Sequence, residues 1–216
     1  MRYPNAFSGI KKIWLAEILM LIAAVMGIVL IVILALNVSM DGDAVVVSDA
    51  VLGAVGAITI VAALIALVAF ILNLVGLVAA RKDDEAFKTA LLVTLLGIAA
   101  SIISSVWSKS VRLVKVMDVV TSLCNLFASY YVLTGIANLA DTYPDADTKA
   151  LALKSRNLIM YTFCATAIIK AIIAIFNIQD GSTISTILGF IALAVEIVSY
   201  VLYLRALSKG KDMLAR

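Results

Sequence analysis

Histidine is missing from all 216 residues, which removes the commonest general base and metal ligand, and with them most hydrolytic schemes. Rhomboid-type proteolysis falls for the same reason, because its serine needs a histidine base. Charge is scarce at 14% of residues, against about a quarter in a soluble domain. The only prolines, Pro4 and Pro144, lie outside the long apolar runs, so no proline-broken helix marks a transporter-style substrate site. The two cysteines, Cys124 and Cys164, sit inside apolar runs without CxxC spacing. Neither a disulfide framework nor a zinc site is expected, and both read as small core residues. Glycine-rich phosphate loops, a GxSxG elbow, paired carboxylates and calcium-loop spacing are also lacking. The chain is therefore expected to be non-enzymatic and to hold no metal or cofactor.

What the chain does have is apolar length. Hydrophobic residues make up 64% and the mean hydropathy is +1.13. They come in blocks of about 20 or more, the spacing that a hydrocarbon core of about 30 Å demands of spanning helices; a β-barrel would show alternation in ten-residue pieces. Six blocks occur, at about 13–37, 51–80, 87–108, 116–140, 157–178 and 183–205. The expected fold is all-α: a polytopic membrane protein, one transmembrane domain over residues 1–216, six helices in three hairpins as a compact bundle, with no soluble domain. The run after "MRYPNAFSGIKK" is too long for a signal-peptide core and is expected to stay as the first span.

The basic residues set the orientation. Alternate loops place Arg2, Lys11, Lys12, Arg81, Lys82, Lys88, Lys149, Lys154, Arg156, Arg205, Lys209, Lys211 and Arg216 on one side, and Lys109, Arg112 and Lys115 on the other. The positive-inside rule puts both termini in the cytoplasm, with a bacterial cytoplasmic membrane as the expected location. The net charge of +3 is spread beside apolar blocks instead of forming a tract, so lipid is the expected partner and nucleic acid is not. In the polar loop "DTYPDADTKALALKSRN", Asp145 or Asp147 after Pro144 is a helix cap that would extend the fifth helix beyond its apolar run.

Helices in lipid associate through small residues and occasional polar contacts. The second block offers Gly56, Thr59, Ala63, Ala66, Asn73, Gly76 and Ala80; the third Thr94, Gly97, Ser101, Ser104 and Ser108; the sixth Ser185, Gly189, Ala192, Glu196, Ser199 and Tyr203. Such stripes predict tight packing within the bundle, self-association or another membrane protein as partner.

The fifth block carries Thr162, Thr166, Lys170 and Asn177 on one stripe, and the fourth Asp118, Ser122, Asn125 and Ser129. A charge facing lipid tails costs about 2.5–3.5 kcal/mol or more, so Lys170 is expected to face protein or water. With the turn between the last two helices placed near Gly181, Glu196 comes within about 6 Å of the depth of Lys170, and the two form the candidate intramembrane ion pair. The leading functional expectation is a structural or partner-binding membrane unit, oligomeric. The alternative is a small-solute permease, or the substrate-binding subunit of a transporter, with a polar site between helices 4, 5 and 6 for a small-molecule ligand. In size and plan the chain resembles the membrane-embedded substrate-binding subunit of energy-coupling-factor vitamin transporters, six-helix bundles of similar length. The resemblance is one of plan and carries over no site residue.

Overall fold

The computed structural model describes residues 3–37, 39–41, 44–46, 48–107, 110–143, 145–175 and 183–215, without the side chains of 39–41, 44–46, 49, 111–112, 170–175 and 183–186. Among these are six helices: α1 (Pro4–Asn37), α2 (Asp49–Ala80), α3 (Glu85–Val106), α4 (Val111–Thr142), α5 (Ala146–Ile175) and α6 (Thr183–Ala215). Five of them, all but α5, are long and apolar enough to cross a membrane within the described residues. The first half of α5 carries Asp147, Lys149, Lys154 and Arg156, and its apolar run continues into residues whose side chains lie outside the description.

A short antiparallel hairpin, β1 (Ser39–Asp41) with β2 (Ala44–Val46), joins α1 to α2, with Ser39 opposite Val46 and Asp41 opposite Ala44. The β-branched run Val45-Val46 after an Asp-Gly pair is the signal for such a hairpin.

The chain divides into two compact units, one of Met1–Lys11 with Leu77–Arg216 and the other of Lys12–Gly76. In the second unit, Ile13, Ala16 and Ala69 are buried, while Ile31, Leu36, Ile60 and Leu64 are among many large apolar side chains that are exposed. Water would penalise such a surface heavily and lipid would not.

In the first unit, α4 packs against α3, α5 and α6, and α5 against α6. Its helices are longer than a membrane requires. At about 1.5 Å per residue, the 32 residues of α4 and 33 of α6 span about 48–50 Å, against a hydrocarbon core of about 30 Å. The excess lies at the end holding the start of α3, the end of α4, the start of α5 and the end of α6. There the core is closed: Phe87, Ala90, Leu133, Ile136, Ala140, Ala152, Ala206, Leu207 and Leu214 are buried.

This explains two extensions beyond the predicted spans. Helix α6 runs to Ala215 instead of stopping near 205, because Ala206, Leu207, Gly210, Met213 and Leu214 recur at helical spacing and all bury. Helix α1 starts at Pro4 instead of 13, with Ala6 and Ile10 buried and proline at the helix start, where its missing N–H costs nothing. Helix α5 does start early, at Ala146, and Asp145 caps it: its Oδ1 accepts from the Thr148 amide at 3.0 Å.

Candidate interfacial site

Helix registers in the first unit follow from specific contacts. Between α3 and α4, Ser101 meets Thr121 at 3.4 Å, and Asn138 Nδ2 donates to Asp84 at 3.2 Å. A Cβ on Gly97 would lie 3.0 Å from Cys124 Cβ, and Gly135 faces the Phe87 ring. All four contacts agree on one antiparallel register. The small residues of α3 are thus used against α4, as the spacing predicted. Between α4 and α5, the Arg156 guanidinium lies over the Tyr130 ring, 5.0 Å from its centroid. Between α5 and α6, Ser155 Oγ donates to the Leu202 carbonyl at 3.1 Å.

Carried along the helices, these registers place Tyr130, Tyr131, Tyr161, Tyr200 and Tyr203 within a layer about 10 Å deep, five of the seven tyrosines in the chain. Tyr130 and Tyr131 meet edge to face at 5.5 Å, and Tyr200 lies 6.4 Å from Tyr203. Lys88 of α3, Lys154 of α5 and Arg205 of α6, all exposed, fall at one level just beyond the layer, toward the closed core. On the other side of the layer the helices are mainly apolar and open: Ile102, Val119, Ile168, Phe190, Ile191 and Leu193 are exposed.

The residues singled out in the sequence are distributed around this layer. Glu196 is exposed on α6 and level with Tyr161 of α5, and among the described residues it has no ion-pair partner. Lys170 stands nine positions further along α5, an axial interval of about 13 Å; its side chain, like the whole of Asn177, lies outside the described residues. On α4, Asp118, Ser122 and Asn125 are exposed and Ser129 is half-buried. Thr162 is buried with no hydrogen-bond partner for its hydroxyl among the described residues, whereas Thr166 Oγ1 donates to the Thr162 and Phe163 carbonyls, each at 3.0 Å. Both cysteines were read as core residues. Cys124 is half-buried against Gly97, but Cys164 is exposed; a small thiol on a lipid-compatible face needs no core.

Sequence reasoning missed Arg156, treating it only as an orientation signal. Its Nε is buried and has no hydrogen-bond partner among the described residues. Tyrosines near the polar ends of two apolar blocks, Tyr161 in the fifth and Tyr200 and Tyr203 in the sixth, were the available clue. No family model matches the chain, and neither a curated protein nor a solved structure matches it, so the likeness to the vitamin-transporter subunit stays one of helix number and length.

Proposed function

We propose that the chain is an integral membrane protein whose work is structural: it binds copies of itself or another membrane protein through open helix faces and performs no catalysis. The observation that carries this reading is a contrast between glycines. Gly97 and Gly135 are filled by α3–α4 packing, whereas a Cβ at Gly53 or Gly56 on α2, or at Gly189 on α6, would meet nothing within 4 Å among the described residues. Small residues let backbones approach in lipid, and these have no neighbour among the described residues. In this reading six spans cross the bilayer as three hairpins, both termini lie on the basic, cytoplasmic side, and the tyrosine layer marks the headgroup level on that side.

The test is the mass of the protein in mild detergent or in nanodiscs. Wild type is expected as an oligomer or with a co-purifying membrane protein. Gly56→Leu and Gly189→Leu are expected to shift it to monomer with thermal stability unchanged, because each new side chain enters open space. A stable wild-type monomer with no partner contradicts the proposal.

A second reading, a small-solute path, is favoured by one observation: Asp118, Ser122 and Asn125 are exposed along α4, where lipid is a poor neighbour for carboxylate and amide. In that reading Lys170, Thr162, Thr166 and Glu196 belong to the same polar route between helices 4, 5 and 6.

A further inference from the structure

We propose that Arg156 and the face of Tyr130 form a binding site for an anionic phosphate group at the level of the tyrosine layer. The site depends on the bilayer placement only for the source of that phosphate, a lipid headgroup in the cytoplasmic leaflet.

Arg156 is a half-buried cation whose Nε is sealed from solvent and has no acceptor among the described residues. Tyr130 covers one face of its guanidinium at 5.0 Å. A ring below the plane attracts the charge but leaves the in-plane N–H donors unused. No carboxylate pairs with it among the described residues: Asp141 and Asp212 lie about 16 Å away along the helices and pair with Lys149 and Lys211, and Glu196, about 7 Å deeper, is exposed and forms no ion pair. An unpaired cation beside an aromatic ring favours an acceptor, and the two terminal nitrogens, which are neither sealed like Nε nor hydrogen-bonded among the described residues, are the donors that an acceptor from outside the chain can reach. A planar fork of five donors matches the paired oxygens of a phosphate. Exposed Lys88, Lys154 and Arg205 lie at one level nearby and raise the local concentration of anions. Tyrosines mark the headgroup region, the depth at which lipid phosphates lie.

The experiment uses the full chain, lipid-depleted in neutral detergent, with the thermal midpoint read against added phosphatidylglycerol, phosphatidylcholine or inorganic phosphate. Phosphatidylglycerol is expected to raise the wild-type midpoint by several degrees, with little effect from phosphatidylcholine. Arg156→Gln is expected to lower the apparent affinity for phosphatidylglycerol at least fivefold. Arg156→Lys should recover part of it, and Arg205→Gln should leave it within twofold of wild type, because an exposed cation contributes only a screened field. If inorganic phosphate alone reproduces the shift and Arg156→Gln abolishes it, the site stands and its source is free phosphate. The proposal is overturned if neither phosphate ligand shifts wild type, if Arg156→Gln binds as wild type does, or if Arg205→Gln loses as much as Arg156→Gln. Flotation of Arg156→Gln with vesicles reports membrane insertion separately, so failure of the site is distinguishable from failure of the bilayer placement.

Discussion

Gly135→Val is expected to prevent stable folding of the first unit, and Gly135→Ala to destabilise it measurably. A Cβ at this position would lie 2.6 Å from Phe87 Cε2 and 2.7 Å from Cζ, closer than carbon atoms approach. The ring cannot swing aside, because Phe87 is fully buried at the start of α3. Two effects oppose each other in the alanine variant. Replacing a mid-helix glycine gains up to about 1 kcal/mol of helix propensity, whereas overpacking a closed core costs about 1–3 kcal/mol. The clash wins, and valine adds two further methyl groups to it. Phe87→Ala alone is expected to cost about 3–5 kcal/mol through the cavity it leaves. The double variant Gly135→Ala with Phe87→Leu is expected to recover part of the loss, since the shorter side chain gives room to the new methyl. Thermal unfolding in detergent checks this; equal stability of Gly135→Val and wild type would contradict the α3–α4 packing.

Asp83→Ala is expected to lower the unfolding midpoint by about 5–10 °C, the second large effect, taking about 2–4 °C per kcal/mol for a chain of this size. The Asp83 carboxylate reaches across the chain to the start of α1. Oδ1 accepts from Asn5 Nδ2 at 3.0 Å and Oδ2 from the Ala6 amide at 2.6 Å. The first turn of a helix has amides with no partner of their own and a partial positive charge, and hydrogen bonds to a charged group contribute about 1.5–3 kcal/mol. Next to it Asp84 caps α3, accepting from Ala86 N at 2.8 Å and from Asn138 of α4. Two adjacent aspartates thus hold three helices at the closed end. Asp83→Asn keeps one acceptor oxygen and is expected to lose less than Asp83→Ala; the reverse order would contradict the capping role.

The helices were legible because lipid-compatible runs of twenty residues have few alternatives, and α5's early start was legible because Asp145 after Pro144 is a capping signal. Their aqueous ends were harder to read. The tail of α6 carries Lys209, Lys211 and Asp212, and such charges mark the end of an apolar block even though Gly210, Met213 and Leu214 continue the buried stripe. The burial pattern follows from the solvent. In the proposed bilayer placement, helices that meet in water close the core around Phe87, Leu133 and Leu207 through the hydrophobic effect, whereas helices in lipid have no such drive and leave apolar faces outward. The Ser155–Leu202 contact places Glu196 level with Tyr161, at the edge of the tyrosine layer, while the turn near Gly181 and the side chain of Lys170, on which the expected ion pair rests, lie outside the described residues. Arg156 was hidden because its significance lies in what it does not touch, and spacing along one chain does not show an absent partner.

Cys164 tests the central claim, that the tyrosine layer marks where water ends, without adding a reporter group. It is exposed on the protein surface, eight positions or about 12 Å beyond Arg156 on the apolar side, so none of the described residues of its own chain shields it. The measurement is the labelling rate with a charged maleimide in nanodiscs, where both membrane faces are open to reagent. A Cys124→Ala background leaves Cys164 as the sole thiol, and the triple change Cys124→Ala, Cys164→Ala, Lys209→Cys places one thiol on the aqueous side for comparison. Cys164 is expected to stay unlabelled until the disc is dissolved in denaturing detergent, while the thiol at position 209 reacts within minutes. Labelling of Cys164 in intact discs at the rate seen at position 209 would contradict the account.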